Sequence, residues 1–358
     1  MITNIHIKAF KSLVDISIPL EKLTVLSGLN NSGKSSVIQA IRMFSEKYEG
    51  MSPLLTGHGD VTNLRSDFVN VNEDIHFSLC DDNKNISSMT LSDHTCTKPQ
   101  FCPELVYVGA DRLGPQSFLP IDTSLQAHPK IGDKGQFTFD FISRLNELGY
   151  LIPEQLVHEN AEGKTFEYVL QGWLTEISPG VKIKLTTNRK ADVSHAEIDN
   201  YRPSNVGFGI SYTLPVIAAT LGLSSYLPEL TEQDSWVIDW ENKKEKYGVL
   251  LVLENPEAHL HPQGQTAMGK MIALAASNGV QIIVETHSEH VMDGIRIAVK
   301  ERKLSSESVK FHYFKKNENG QTELTSPSLD ENGKLSCWPN GFFDQALKNR
   351  SILARKAK

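Results

Sequence analysis

The segment at residues 28–35, with the sequence GLNNSGKS, limits what this chain can fold into more than any other part of it. Glycines at Gly28 and Gly33 let the backbone curl, so that several N–H groups can point inward. An apolar run at residues 23–26 precedes the segment, and from Ser35 onward apolar residues recur at helical spacing. A strand, a glycine-rich turn and a helix in this order are the setting in which such a loop binds phosphate groups. The sequence therefore predicts a phosphate-binding loop.

Two side chains of this loop have specific expected roles. Lys34 is expected to reach the β- and γ-phosphates of a nucleotide, and the Ser35 hydroxyl is expected to ligate Mg²⁺, which prefers oxygen ligands. An ordinary glycine turn before a helix is the alternative, but four matching positions and the correct flanking elements favour the phosphate loop. The other residues expected to contact the nucleotide are Gly28, Asn30, Asn31, Ser32, Gly33 and Ser36.

Length and composition restrict the class of protein. The chain has 358 residues, which corresponds to about two domains. Hydrophobic residues make up 39% and charged residues 22%, and these values exclude largely disordered, collagen-like and coiled-coil chains. The formal net charge of −7 argues against a strongly basic protein that wraps nucleic acid, although a local basic groove stays open.

Three further features favour a cytoplasmic protein with no membrane span. No apolar run approaches the roughly 18 residues that a membrane span needs. Residues 1–10 alternate apolar and polar side chains, unlike a signal peptide. The four cysteines have no CxxC spacing, which argues against a zinc site or a disulfide framework and fits a reducing compartment.

Apolar patterns along the chain predict an α/β fold. Three apolar stretches before the phosphate loop indicate three strands. Unbroken apolar runs at residues 249–253 and, within the predicted strand at residues 281–284, at residues 282–284 are typical of parallel strands that are covered on both faces. We expect residues 1–112 and 201–358 to form the two parts of one core, with residues 113–200 as a mainly helical lobe inserted between them. The lobe's predicted elements are helices at residues 137–148 and 167–177 and a strand at residues 181–185.

Acidic residues end both of the later apolar runs. Glu254 follows the first run and continues as ENPEAHLHP, and Glu285 follows the second and continues as THSEH. A carboxylate at the end of a buried strand is well placed to hold the water shell of a magnesium ion. The apolar strand with its acid would be a weak signal alone, and the two continuations make it specific.

The order of these motifs resembles the ABC-class ATPase heads, a group that includes the SMC proteins, the OLD-like ATPases and small bacterial AAA family ATPases. The first strands, the GxG turn before residue 211 and the two acid-ended strands all follow that order. The insert segments at residues 131–135 and 173–180, and the WPNGFFD segment at residues 338–344, are similar to one stand-alone subgroup. The resemblance implies a P-loop NTPase of ABC-ATPase type, with a mixed central sheet, flanking helices and an inserted mainly helical lobe. It also implies ATP and Mg²⁺ as cofactors.

The resemblance also implies catalytic roles, residue by residue. Glu254 takes the position of the Walker B acid that binds the Mg²⁺ shell. Asn255 stands where the family usually has its catalytic glutamate, and an amide cannot accept a proton from the attacking water. Either hydrolysis is slow or Glu257 takes that role. His287 matches the switch histidine that contacts the γ-phosphate, against the alternative of an ordinary histidine at a strand end.

A variant of the family's signature turn is expected at residues 205–212, with Gly207, Gly209 and Ser211 contacting the γ-phosphate held by the other subunit. A plain helix cap is the alternative. Gln116 is a candidate for the family residue that touches Mg²⁺ and the attacking water, and Arg112 for a phosphate contact, with a surface turn as the alternative for both. Phe10 and Lys11 are candidates to flank the adenine, although a core position is the stronger expectation for Phe10.

Two other groups of residues have alternative interpretations. Three histidines are the first group, namely His259, His261 and His290. One interpretation is that they form a metal cluster with Glu257. The favoured interpretation is that they shape the loop at the seam of a dimer. The second group is basic and consists of Lys348, Arg350, Arg355, Lys356 and Lys358. One interpretation is that these residues contact nucleic acid. The favoured interpretation is that they form a solvated basic tail.

Taken with the resemblance, these features favour an ATP-hydrolysing homodimer that holds ATP between its subunits and controls a separate effector protein, such as a nuclease, in anti-phage defence. Heptad repeats for SMC-type arms and a metal-dependent nuclease domain are not found in the sequence. Two alternatives stay open. One is an ATPase head that clamps DNA, and the other is a nucleotide sensor that hardly hydrolyses ATP, which Asn255 favours.

Overall fold

The computed structural model describes residues 1–124, 128–205, 208–228, 235–339, 341 and 345–355. The chain forms two compact units, and both are discontinuous in sequence. Residues 1–103, 287–289 and 306–358 make up the first unit, and residues 104–286 and 290–305 make up the second. The three parts expected from the sequence, with limits at residues 112 and 200, stay a prediction.

The described elements follow one another in this order. The strands are β1 (Ile2–Phe10), β2 (Leu13–Pro19), β3 (Leu23–Gly28), β4 (Ile75–Asp81), β5 (Ile86–Leu91), β6 (Glu104–Val108), β7 (Phe118–Pro120), β8 (Ile183–Asn188), β9 (Val193–Ile198), β10 (Val249–Glu254), β11 (Gln281–Glu285), β12 (Val309–Lys316) and β13 (Thr322–Thr325). The helices are α1 (Lys34–Tyr48), α2 (Val61–Leu64), α3 (Thr138–Glu147), α4 (Phe166–Ile177), α5 (Phe208–Ser224), α6 (Ser235–Tyr247), α7 (Pro262–Ser277), α8 (Glu289–Lys300) and α9 (Gln345–Leu353).

The first unit contains a four-stranded antiparallel sheet in the order β2-β1-β4-β5. Alternation in β1 buries Ile5 and Ile7 and leaves the polar residues between them partly exposed, as a sheet with one covered face requires. Phe10, at the end of β1, is fully buried with its ring edge-on to Phe77 at 5.1 Å between centroids. The expectation that Phe10 is a core residue is confirmed, and its alternative role beside the adenine is wrong.

The phosphate loop of the first unit lies between a buried strand and an amphipathic helix. Every residue of β3 is buried, and β3 pairs in parallel with β12, which pairs in antiparallel with β13. Helix α1 begins at Lys34 and buries the predicted apolar face that includes Val37, Ile41 and Phe44. Parallel and antiparallel pairings therefore both occur, and the predicted mixed α/β class is confirmed.

The second unit is built on three parallel strands. β10 pairs in parallel with both β6 and β11, and all its residues except Glu254 are buried. The register places Glu254 beside Glu285 and Leu253 beside Val108. The carboxyl ends of all three strands therefore meet at one edge, and the residues that follow them are brought together there.

The segment between residues 113 and 200 contains the predicted helices α3 and α4, and a three-stranded antiparallel sheet in the order β7-β9-β8. The sequence predicts β8 but not its two partners. In the described part of the chain, no helix has the length and apolar character that crossing a bilayer requires.

Candidate active site

The backbone of the phosphate loop has three residues in the left-handed region. Gly28, Asn31 and Gly33 have φ of 147°, 63° and 109°. A Cβ atom on Gly28 would lie 2.2 Å from the carbonyl oxygen of Phe314, and one on Gly33 would lie 2.6 Å from Thr322 Oγ1. Both positions therefore need glycine for close approach as well as for conformation.

The Lys34 side chain lies over this curled backbone. It is only 3% exposed, and its Nζ donates to the carbonyl oxygens of Gly28 and Leu29, both at 3.0 Å. These two bonds hold the ammonium group on the inside of the loop. A cation in that position is suited to bind phosphate oxygens.

The loop also presents hydroxyl and amide groups. Ser32 is buried, and its Oγ has no hydrogen-bond partner among the described residues. An unsatisfied buried hydroxyl is costly, and a phosphate oxygen would satisfy it. Asn30, Asn31 and Ser35 are exposed and Ser36 is half-buried, at or just before the start of α1. An ammonium group, hydroxyls and a helix N-terminus fit a polyphosphate with its Mg²⁺.

Thr322, at the start of β13, braces the loop from a distant part of the sequence. Its Oγ1 donates to the carbonyl oxygen of Ser32 at 2.9 Å and lies 2.8 Å from Ser12 Oγ. Its backbone N–H donates to the carbonyl oxygen of Ser12 at 2.9 Å. Thr322 could not be predicted from the sequence, because no local pattern marks a contact between residues that are 290 positions apart.

A cavity of about 520 Å³ opens beside the loop within the first unit. This volume falls in the range of about 300–1,000 Å³ that is usual for small-molecule sites. Its wall includes Lys11, which bonds to Gln39 Oε1, and Phe68, whose side chain is 42% exposed. Phe68, and not Phe10, is thus the aromatic residue that is available to stack on a bound base.

His287 also belongs to the first unit, and the residue is exposed, although neighbouring atoms surround part of its imidazole. Burial lowers the pKa of the His287 imidazole, and the positive charge of Lys34 lowers it further. A neutral imidazole can donate from one nitrogen and accept at the other. The electrostatic interaction with Lys34 supports the predicted role of His287 at the same phosphate group.

In the second unit, the predicted acid is the last residue of β10. Glu254 is partly exposed, and its Oε2 accepts from the backbone N–H of Ala110 at 3.3 Å. Asn255 has φ of 45° and donates its backbone N–H to the carbonyl oxygen of Glu285 at 2.9 Å. The Oδ1 atom of Asn255 is buried without a hydrogen-bond partner among the residues described. The backbone therefore turns sharply after Glu254.

Arg112 fixes this turn. Its guanidinium donates to the carbonyl oxygens of Gly109, Glu254 and Asn255 at 2.6–2.7 Å, and the residue is 3% exposed. Burial lowers the pKa of Arg112, and the nearby carboxylate of Glu257 opposes that shift. The surface-turn alternative is wrong for Arg112, because the residue is buried, and its contact with a phosphate stays a prediction. Arg112 positions the backbone of the acid and of Asn255.

Within the signature-like segment, residues 206 and 207 lie outside the described residues, and α5 begins at Phe208. Gly209 and Ser211 lie in the first turn of α5, and a Cβ on Gly209 would lie 3.2 Å from the carbonyl oxygen of His259. The Tyr212 ring packs edge-on to His259 at 4.6 Å and lies 5.7 Å from the Arg112 guanidinium carbon. The start of α5 therefore packs against the loop that follows β10.

Gln116 is exposed, and it lines a small cavity of about 20 Å³ together with Ser211. The candidate glutamine and the signature-like serine therefore line the same cavity. No group of three or more His, Cys, Asp or Glu side chains suited to a metal occurs within the described ranges, so the histidine cluster gains no support. Lys348, Arg350 and Arg355 are exposed, and Lys356, Lys358 and residues 340 and 342–344 lie outside the described residues.

Two comparisons with known proteins concern the fold. The chain is similar to a SMC head bound to the C-terminal winged-helix domain of ScpA, with 14% identity and a TM-score of 0.51, over 92% of this chain and 98% of that one. It is also similar to a SMC head with an extended coiled coil bound to the C-terminal domain of ScpA, from Pyrococcus furiosus, with 12% identity, a TM-score of 0.53 and 99% of each chain covered. At such identities the likeness shows the SMC-head-like P-loop ATPase fold alone.

Family models cover most of the sequence. Residues 304–351 match a family described as a protein of unknown function (DUF3696). No curated protein matches the chain. The model of the AAA ATPase domain matches residues 1–100 and 121–292, which include the phosphate loop, both acid-ended strands and His287. The chain therefore belongs to the AAA ATPase domain family.

Proposed function

We propose that this protein binds ATP with Mg²⁺ at the phosphate loop and hydrolyses it. The observation that carries the proposal is the geometry of the loop. Lys34 is held by hydrogen bonds on its inner side, and the curled backbone requires glycine at positions 28 and 33. The unsatisfied Ser32 hydroxyl and the adjoining cavity add to it. These features together suit a nucleoside triphosphate better than a single phosphate group.

Different residues of the chain are proposed to bind the phosphates, to hold Mg²⁺ and to contact the γ-phosphate. Lys34 neutralises the β- and γ-phosphate oxygens, and the backbone N–H groups at the start of α1 bind them. By the family resemblance, Ser35, Glu254 and Gln116 would supply the oxygen atoms that hold a bound Mg²⁺, and the ion would stabilise the charge that develops on the leaving phosphate. His287, neutral near pH 7, contacts the γ-phosphate and responds to its loss.

Deprotonation of the attacking water needs a carboxylate or another base. Asn255 cannot supply one, since an amide oxygen is a very weak proton acceptor. Glu257 lies two residues further on, and the electrostatic interaction between Glu257 and Arg112 supports its presence at the turn after β10. We assign Glu257 as the contributing base.

The same protein is proposed to act as a homodimer that closes on ATP. In this arrangement the γ-phosphate held by one subunit meets the Gly207–Ser211 segment of the other. Support comes from the helix N-terminus at Gly209 and Ser211, which is fixed against the turn that follows the acid. Control of an effector such as a nuclease in anti-phage defence rests on the family resemblance. A cytoplasmic location rests on the four cysteines, whose spacing fits a reducing compartment.

Asn255 supports a second candidate, a nucleotide sensor that binds ATP and hydrolyses it very slowly. In this second candidate, ATP binding closes the dimer, and the dimer opens when the nucleotide is exchanged and not when it is hydrolysed. Binding is common to both candidates, and only the rate of turnover separates them.

The decisive experiment compares Lys34→Met with wild type and with Lys22→Met, which removes an exposed lysine just before β3, the strand that leads into the phosphate loop. Binding of a fluorescent ATP analogue with Mg²⁺ is measured, and circular dichroism checks folding. We expect Lys34→Met to lose at least about 100-fold in affinity, since a charge-assisted contact is removed, and the control to be unchanged. Equal binding by a folded Lys34→Met protein would refute the proposal.

A further inference from the structure

A groove of about 900 Å³ lies in the second unit between α3, α4 and β8. Its apolar surface includes Ile142 and Leu170, which are buried, and Ile183 and Leu185, which are half-buried. The inner face of the small sheet is thus covered along β9 but incompletely covered along β8. The groove takes no part in the proposed nucleotide chemistry.

β8 is an edge strand, because the sheet order is β7-β9-β8. Asp199 donates its backbone N–H to the Lys182 carbonyl oxygen, so the backbone groups of the even-numbered residues face β9. Those of the odd-numbered residues face away from β9, as the bond from Ile183 N–H to Gln171 shows. The N–H and C=O groups of Leu185 and Thr187 therefore point along the open edge, where both residues line the groove.

The Gln171 side chain already pairs with the beginning of this edge. Its Nε2 donates to the carbonyl oxygen of Val181 at 2.6 Å, and its Oε1 accepts from the N–H of Ile183 at 3.1 Å. These are the two bonds that one residue of a parallel neighbouring strand would make. The amide of Gln171 therefore takes the place of one residue of a strand parallel to β8. The following residues of such a strand would form hydrogen bonds with the backbone groups of Leu185 and Thr187.

The groove is acidic. Its lining contains five carboxylates and two ammonium groups, on Glu147, Glu162, Glu167, Glu197, Asp199, Lys182 and Lys184. The two lysines lie on β8 or just before it, opposite Glu197 and Asp199 of the neighbouring segment. Glu147 is ion-paired with Arg189, so the excess negative charge lies on the helical side at Glu162 and Glu167. A nucleic acid would be repelled there, and a basic peptide would be attracted.

We propose that this groove binds an extended, basic segment of a partner protein, which adds to the sheet as a strand alongside β8. The partner's backbone bonds to Leu185 and Thr187, and its alternate apolar side chains pack on Ile142, Leu170, Ile183 and Leu185. Its lysine or arginine side chains face Glu162 and Glu167. The proposal goes beyond the nucleotide function and does not rest on it.

The test uses the full chain without nucleotide and a fluorescein-labelled heptapeptide of alternating lysine and valine, at physiological salt. We expect saturable binding by fluorescence anisotropy, and slower hydrogen exchange at Leu185 and Thr187 when the peptide is bound. A glutamate–valine peptide, and a lysine–valine peptide N-methylated at alternate residues, are expected to bind at least about tenfold more weakly, because the first lacks the positive charge and the second lacks donors along one edge.

The matched protein variants are Glu162→Lys with Glu167→Lys, and a control with Glu49→Lys and Glu331→Lys. Both doubles change the net charge equally, but the control residues are exposed in the first unit. We expect only the groove double to lose binding, by at least about tenfold. Equal loss in both doubles, unchanged exchange at Leu185 and Thr187, or displacement of the peptide by single-stranded oligonucleotides would overturn the proposal. None of these results would bear on the proposal of ATP binding, because the test is carried out without nucleotide.

Discussion

The hydroxyl group of Thr322 donates a hydrogen bond to the backbone carbonyl of Ser32, at 2.9 Å. One residue of β13 thereby fixes the phosphate loop at the point where its backbone turns into α1. The hydroxyl of Ser12 lies 2.8 Å from the same Thr322 oxygen, so three segments of the first unit meet at this atom.

The first prediction tests that brace. Thr322→Val keeps the shape of the side chain and removes its hydroxyl, which leaves the Ser32 carbonyl unpaired. A net loss of about 1 kcal/mol corresponds to about a fivefold weaker affinity for an ATP analogue. Thr325→Val, on the same strand, is the control and should bind as wild type does. Binding by Thr322→Val that matches this control would show that the loop holds its shape without Thr322.

The second prediction concerns the base. If Glu257 contributes, Glu257→Gln should bind ATP normally and lose most of its turnover, by about 10²–10⁴-fold, because the amide keeps the shape and loses the proton acceptor. Single-turnover hydrolysis with excess enzyme is the measurement. Normal turnover in a folded Glu257→Gln protein would remove Glu257 from the mechanism.

Asn255→Glu belongs to the same experiment and distinguishes the slow sensor from the ATPase. In a sensor that lacks its base, the new carboxylate should raise the single-turnover rate, at most by the same factor. In an ATPase that uses Glu257, it should leave the rate within about threefold of wild type.

The third prediction addresses the dimer. Ser211 lies in the first turn of α5, so Ser211→Arg places a long cation at the proposed seam without touching the phosphate loop. We expect binding of the ATP analogue to persist and the shift in size on adding ATP and Mg²⁺ to vanish, as measured by light scattering after chromatography. A persistent shift would contradict contact between the subunits at Ser211.

The fourth prediction concerns stability at low pH. His312 is fully buried in β12, with Nε2 bonded to the Pro19 carbonyl oxygen and Nδ1 to Ser326 Oγ, both at 2.7 Å. Burial lowers the pKa of His312 from 6.5 to about 4. Between these two values the unfolded chain binds a proton that the folded chain does not, so stability falls as the pH drops through this window.

The loss is expected to reach about 3 kcal/mol near pH 4, from roughly 1.4 kcal/mol for each unit of pKa difference. His312→Gln should weaken this dependence, because glutamine takes up no proton in that range. Urea unfolding between pH 7 and pH 4.5 checks it, with the exposed His94 changed to Gln as the control. Equal pH dependence in both variants would show that other groups control acid unfolding.

Local patterns account for much of the fold. The phosphate loop, its strand and helix, and the buried parallel strands β10 and β11 could be predicted, because burial on both faces leaves an unbroken apolar run. β13 could not be, since its sequence TELT is short and mostly partly exposed, with no alternation. β7 has only three residues, and only its middle residue is buried.

The site was predictable to the extent that its residues belong to contiguous motifs. Lys34 and Ser32 lie in one such motif, and the structure gives each a place that fits its expected role. Arg112 and Thr322 act by donating hydrogen bonds to backbone carbonyl groups of other segments. Because every residue has a backbone carbonyl, the pattern of side chains does not indicate which ones these residues will bind. Phe68 lies in a polar stretch and shows its position only in the folded chain.

The pairing of β3 with β12 has a consequence for how the protein is made. These strands are separated by more than 280 residues, and Gly28 approaches the Phe314 carbonyl through that pairing. A nascent chain on the ribosome therefore carries the complete GLNNSGKS segment long before the strand that braces it has been synthesised. The second unit has almost all of its residues by then and can fold first. Competence to bind nucleotide should consequently arise only after β12 has been synthesised. A chain truncated before β12 should contain a folded second unit and an inactive first unit.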